Sequence, residues 1–112
     1  MRKYAFTRPS STSTHDIPKV MIYEIKKSGV YVFVYKSQDD IPSHNDYWFY
    51  ALDDAEAFCK QYFTINKNDW IQIEDPQEGC QHDLIRPIRR QGNLSDYKYE
   101  ILIDKEWKEI NF

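Results

Sequence analysis

The chain is short of the features that usually announce a chemistry. Two cysteines in 112 residues, Cys59 and Cys80, are too few for a disulfide scaffold, and a chain of this length needs none to hold a core. Both read as free thiols of a reducing cytoplasm. No apolar run approaches the roughly 18 residues of a membrane span, so no membrane partner is expected. The N-terminal MRKYAFTRPSSTSTHD carries basic residues without an apolar core, and no secretory signal is expected there. Positive charge is also scarce. Fifteen Lys and Arg against 18 Asp and Glu leave a formal charge of −3 and a pI near 5.6. That balance argues against nucleic acid as a partner, which needs a basic footprint. An acidic face suits a basic protein partner instead.

What the chain does have is aromatic side chains: nine Tyr, six Phe and three Trp, 16% of residues. They carry much of the available burial, and Tyr and Trp tolerate sitting half in water. A chain of this length is one domain and buries roughly 65% of its surface. There is no internal repeat and no second domain.

Residues 1–19 read as a flexible N-terminal arm, because the Ser/Thr/Pro-rich stretch from Arg8 to Asp16 cannot build a packed face. The alternative is that Lys3–Phe6 adds an edge strand or docks on a partner. Residues 20–112 form the domain. VMIYEIKK and VYVFVYKS read as a hairpin turning at Ser28-Gly29, where Gly29 supplies a positive φ. That turn pairs Ile25 with Val32 and Tyr23 with Val34. It places Met21, Tyr23, Ile25, Val30, Val32 and Val34 on a core face, with Tyr31, Phe33 and Tyr35 on the other. Tyr47–Ala51 reads as a short strand. Asp53–Phe63 reads as a helix, capped by Asp53 with Glu56 in a capping-box pair. Its apolar face is Ala55, Phe58, Cys59, Tyr62 and Phe63. Asn66-Lys67-Asn68 is a turn, and Trp70–Ile73 a strand. Gln91–Asp96 reads as a loop, Tyr97–Asp104 as a strand, and Trp107–Phe112 as a closing edge strand. The order predicts an α+β fold: an antiparallel sheet of about five strands with one main helix packed on one face.

The run DWIQIEDPQEGCQHDLIRPIRR, from Asp69 to Arg90, concentrates reactive side chains on a turn-rich loop. Four readings apply to it and its surroundings. As a metal site, Cys80 and His82 are badly spaced for one ion; His44 and Cys59 could complete a set, but Cys59 lies on the apolar helix face. No metal and no cofactor are therefore expected. As an enzyme, Cys80 would be the nucleophile, His82 its base and Asp83 the orienting group. Alternatively His82, Asp83, Arg86, Arg89 and Arg90 would handle a phosphoryl group. Against chemistry, Cys80 packs as a small hydrophobe, His82 or Asp83 ties the loop down, and the arginines line a solvent-facing edge strand. As a protein-binding surface, Tyr47, Trp48, Tyr50 and Trp70 would be aromatic anchors among acids at Asp39, Asp40, Asp46, Asp53, Asp54 and Glu56 and again at Asp69, Glu74, Asp75 and Glu78. In the opposing reading those tryptophans are core and the acids a solvated face. Tyr31, Phe33 and Tyr35 are a second core layer, a homodimer face or a partner face.

The stretch WIQIEDPQEGCQHDLIRPIR, preceded by an aromatic run and a short acidic helix, resembles a group of small bacterial proteins associated with the immunity proteins of polymorphic-toxin systems. The resemblance spans Val30–Asp104 and is most distinctive at Gly79–Asp83. It implies a cytoplasmic, single-domain, non-enzymatic protein that neutralises a cognate toxin by binding it. It supplies no catalytic residues.

Overall fold

A computed structural model describes residues 1–8, 16–93 and 95–112. The fold is α+β. Five strands form one antiparallel sheet: β1 (Arg2–Phe6), β2 (Lys19–Ile25), β3 (Gly29–Tyr35), β4 (Asn45–Phe49) and β5 (Ile71–Ile73), in the order β4-β3-β2-β1-β5. The helix α1 (Leu52–Phe63) packs on one face. A second, three-stranded sheet follows, with β7 (Asp96–Ile103) between β6 (Ile88–Asn93) and β8 (Glu106–Ile110).

Residues 2–6 are not part of a flexible arm. Arg2–Phe6 is an interior strand, hydrogen-bonded to β2 on one side and β5 on the other. Thr7 N–H extends the pairing by donating to the Pro18 carbonyl at 2.9 Å. The Ser/Thr/Pro stretch at 9–15 lies outside the described residues.

The β2–β3 hairpin is present in a different register. Ile25 pairs with Gly29, Tyr23 with Tyr31 and Ile22 with Val32. The turn is Lys26-Lys27-Ser28, closed by Ser28 N–H to the Ile25 carbonyl at 2.9 Å, with Lys27 at φ 66°. Moving the pairing by an odd number of residues inverts the face of each side chain on one strand relative to the other. The core face is therefore Val20 and Ile22 with Val30, Val32 and Val34. These pack with Ala5, Ala55, Cys59, Phe63 and Ile65. Met21, Tyr23 and Ile25 join Tyr31, Phe33 and Tyr35 on the far face.

Helix α1 begins one residue before the expected Asp53, and its N-cap is Ala51, which has no side chain to offer. Asp53 and Asp54 instead sit in the first turn, where negative charge suits the helix dipole. The capping box occurs further on: Asn66 N–H donates to Asp69 Oδ2 at 2.8 Å at the head of a short 3-10 helix, Lys67–Asp69. Of the expected apolar face, Ala55, Cys59 and Phe63 are buried, Phe58 is half-buried and Tyr62 is exposed. The helix ends on Thr64 in the left-handed region, φ 58°, and Ile65 N–H returns to the Cys59 carbonyl at 3.4 Å.

The segment expected to be a loop at Gln91–Asp96 carries β6 to Asn93, paired with Asp96 of β7. Asp104 and Lys105, both at positive φ, make the two-residue turn into β8.

Candidate functional site: the far face of the sheet and the Cys80–Asp83 corner

The segment between β5 and β6, residues 74–87, lies over part of the sheet face away from α1. Polar side chains from under it hold it in place. Arg2 is 3% exposed. Its Nε donates to the Glu74 carbonyl at 2.8 Å, and its Nη1 to the carbonyls of His82 and Leu84 at 3.0 and 2.6 Å. Burial lowers the pKa of this guanidinium, opposed by the charges of Tyr35, Asp75, Tyr23 and Asp40. Tyr35, fully buried, donates its hydroxyl to the Asp83 carbonyl at 2.5 Å; burial raises its pKa, so it stays a donor. Asp83 Oδ2 accepts from both Ser43 N–H and Ser43 Oγ at 2.8 Å. Asp40 accepts from the backbone of Ile85 and Arg86 at 2.7 and 2.9 Å. Buried Lys19 stands 4.2 Å over the Tyr35 ring and donates to the Asp39 carbonyl at 2.7 Å. Burial lowers the Lys19 pKa, against the pull of Asp40, Asp39 and Asp83. Met21 of β2, Cys80 and Leu84 of the segment and Ile88 at the start of β6 are buried outside the main core cluster.

This framework decides how the reactive residues stand. Cys80 is 6% exposed, and burial pushes its thiol up, against the pull of Arg89 and Arg2. That disfavours the thiolate a nucleophile needs. The imidazole of His82 is exposed and packs edge-on against Tyr23, ring centres 5.1 Å apart. Asp83 is engaged by Ser43 and does not orient His82 in the described contacts. The arginines do not converge on one anion. Arg86 is bound to Asp40 through Nε–Oδ2 at 2.9 Å, Arg89 pairs with Glu100 at 2.9 Å and stacks on Trp107, and Arg90 lies over Tyr97. Among the described residues no three His, Cys, Asp or Glu side chains gather as a metal site, and Cys59 is sealed in the helix core, its thiol pushed up to about 12.

The part of the far face that the segment leaves uncovered is aromatic. Tyr23, Tyr31 and Trp48 stand directly opposite one another across β2, β3 and β4. Phe33 stacks parallel to Tyr31, centres 6.0 Å apart, and Trp48 meets Tyr50 edge-on at 4.5 Å. Tyr23, Ile25, Tyr31 and Phe33 are half-buried, Trp48 is 44% exposed and Tyr50 87%. Two open grooves share this surface. One, of about 400 Å³, runs between the strands and the corner, lined by Tyr31, Phe33, Asp46 and His82 among others. The other, of about 860 Å³, wraps the hairpin tip and is lined by Trp48, Tyr50, Lys26, Lys27 and Asp75.

The residues expected to bind a partner are split by the fold. Tyr47 and Trp48 are exposed on edge strand β4, on opposite faces, and Asp53 and Asp54 are exposed at the start of α1. Glu56 is half-buried and pairs with Lys3 at 2.5 Å. Trp70 is half-buried against the main core with Lys3 5.0 Å from its ring centre. Glu74 and Asp75 are exposed at the hairpin-tip end, where Asp75 holds the N-terminal ammonium at 2.8 Å. Tyr35 is buried and leaves the expected self-association set, whereas Tyr31 and Phe33 remain accessible. Tyr50, expected among the binding aromatics, does stand on the aromatic face beside Trp48; sequence reasoning missed Arg2, Asp40 and Ser43 as the pins of the corner, and Tyr23 as a member of the aromatic face. The signal for Arg2 was an apolar alternation in Arg2–Phe6 interrupted by charge, which reads as surface until its partners are known. No protein-family model matches this sequence, and no curated protein or solved structure is significantly similar to it.

Proposed function

We propose that this chain is a small protein-binding domain that covers a basic surface on its partner, in the manner of an immunity protein masking its toxin. The carrying observation is the partly exposed aromatic row Tyr23–Tyr31–Trp48, which ends at the edge strand β4. Aromatic side chains that are rigid, half-exposed and grouped are the usual anchors of interfaces, and acids around them set the charge of the partner. Asp46, Asp53 and Asp54 are all exposed on β4 and the helix that follows it. The polar contacts at the Cys80–Asp83 corner are spent on holding backbone, which fits a scaffold better than a reaction centre. Both cysteines are unpaired, and no described helix is long and apolar enough to cross a membrane, which fits a cytoplasmic site of action.

The test is co-expression with the products of neighbouring genes in the native host, followed by titration of any retained partner. The expected complex forms at micromolar concentration or tighter and weakens with salt. Trp48→Ala and Tyr50→Ala each weaken it by about 30-fold, the loss typical of a hot-spot residue. A chain that retains no protein at micromolar concentration refutes the reading. One that only self-associates by light scattering, with the pairing lost in Phe33→Ala, replaces it with a homodimer face.

A further inference from the structure

We infer that the groove between β3, β4 and the Cys80–Asp83 corner is a receptor for a single cationic side chain, arginine or lysine, projecting from a protein partner; this deepens the reading above and rests on it. Four features of the groove carry it. Its lining includes the rings of Tyr31 and Phe33, parallel with centres 6.0 Å apart, and ring faces carry negative quadrupole density. Among the described residues its lining holds two carboxylates, Asp46 and Asp83, and no Lys or Arg. Asp46 is exposed, and among the described residues its carboxylate has no ion-pair partner; its neighbouring hydrogen bond is made by its backbone N–H to Asn45. At about 400 Å³ the groove also has room for a side chain and little more.

Charge separates this groove from the larger one at the hairpin tip. The tip groove is lined by Lys26, Lys27 and the N-terminal residue together with Glu24 and Asp75, so it has no net preference for a cation. Beside His82 the walls offer aromatic rings, the two carboxylates, the apolar Ile25 and Cys80, and the neutral hydrogen-bonding groups of Ser43 and Gln81. Ser43 is committed to Asp83, which fixes that carboxylate and leaves Asp46 as the free counter-charge. A guanidinium suits the setting best. Its plane can lie on a ring while its edge donates to the carboxylate.

The probe is acetyl-arginine amide, titrated into the full chain and followed by backbone amide NMR shifts. The isosteric neutral control is acetyl-citrulline amide. Arginine should move the amides of Tyr31, Phe33, Asp46 and His82 with a dissociation constant of about 1 mM, in keeping with a ligand of this size. Citrulline should bind at least about fivefold more weakly. Asp46→Asn, which preserves shape, should abolish the preference for the cation, and Phe33→Leu should weaken binding about fivefold while keeping the fold. Equal shifts from citrulline, shifts confined to Asp53 and Asp54, or saturation by a neutral oligosaccharide and not by arginine would each overturn the assignment. The two proposals fail separately. A partner complex indifferent to Asp46→Asn removes the receptor and leaves the binding domain. Arginine recognition without any retained partner does the reverse.

Discussion

Replacing Arg2 with methionine isolates the contact that fastens the 74–87 segment to the sheet. The guanidinium makes three hydrogen bonds to carbonyls of that segment and is almost wholly buried. Bonds from a charged donor contribute roughly 1.5–3 kcal/mol each. Set against their sum is the cost of taking the charge out of water, the same burial that lowers its pKa. Methionine fills much of the space without donors, so the loss is the net of these terms plus orphaned carbonyls. Leu84 O is the worst placed, being the acceptor of a fully buried bond. A net loss of about 3 kcal/mol follows, near the lower end of what breaking a buried charged contact costs. For a chain of this length that is a fall in Tm of roughly 12 °C.

Two measurements check it. Urea unfolding reads the global loss. Alkylation of the two thiols reads where the loss falls, because Cys80 lies in the segment and Cys59 in the helix core. In Arg2→Met the native-state rate at Cys80 should rise more than tenfold while that at Cys59 changes only as far as global stability dictates. Arg2→Lys, with one compact donor group in place of a fork, should restore less than half of the loss. A methionine variant within about 1 kcal/mol of wild type and with an unchanged Cys80 rate would refute the assignment of Arg2 as the pin.

Gly29 sits at φ 113° under the Trp48 indole, and a Cβ there would overlap the ring, so Gly29→Ala should cost more than about 2 kcal/mol and shift the Trp48 emission. Unchanged emission would show that the indole does not rest on Gly29. Thr64 caps α1 in the left-handed region, which a β-branched residue resists, so Thr64→Gly should stabilise by about 0.5 kcal/mol after the added freedom of the unfolded chain is subtracted; a lower urea midpoint would contradict this. For Cys59 the folded thiol holds its proton to about 12, whereas the unfolded thiol releases it near 8.5. A raised folded pKa gives stability that is complete below the unfolded value and is lost as pH rises through the folded one. Wild type should therefore lose stability more steeply between about pH 9 and 12 than Cys59→Ala does, and parallel curves would sink the claim.

The hairpin shows how much of the fold could be read from the chain and where reading stopped. Both strands are visible because Val20–Ile25 and Val30–Tyr35 are rich in β-branched and aromatic residues. Their faces are not, because both are apolar or aromatic, so the hydrophobic pattern does not choose between two registers of opposite sense. The choice fell to the turn, and there Gly29 has the expected positive φ of 113° but as the first residue of β3, while Lys27 supplies the left-handed residue of the turn itself. The consequence is functional. The register that was expected buries Tyr23 and hides the aromatic row; the observed one opposes Tyr23, Tyr31 and Trp48 across three strands. The corner was legible as a compact, reactive-looking loop, but its anchors come from Arg2, Tyr35, Asp40 and Ser43, between 40 and 82 positions away in the chain. Separations of that size leave no local trace.

The same anchors explain why the far face is divided. On the covered side Arg2 and Tyr35 present polar tips upward, and the segment meets them with carbonyl oxygens, while Lys19 beside them donates to the Asp39 carbonyl of the β3–β4 loop. Each such contact needs a backbone acceptor at hydrogen-bond distance, so the segment is fixed at the height and position those tips dictate. On the other side Phe33 and Ile25 carry no donor and the Tyr31 hydroxyl makes no described hydrogen bond to the segment, and apolar attraction alone has no direction with which to draw a Gly- and Pro-bearing loop across them. The division between masonry and open surface thus follows from which side chains on one sheet face reach the segment's carbonyls with a donor. Adding a donor at the boundary should move it: Phe33→Arg gives the uncovered side a fork like that of Arg2. The expected result is protection of Gln81 and His82 amides from exchange and closure of the groove to acetyl-arginine amide. Unaltered exchange and unaltered ligand binding would mean that something other than donor placement sets the edge of the cover.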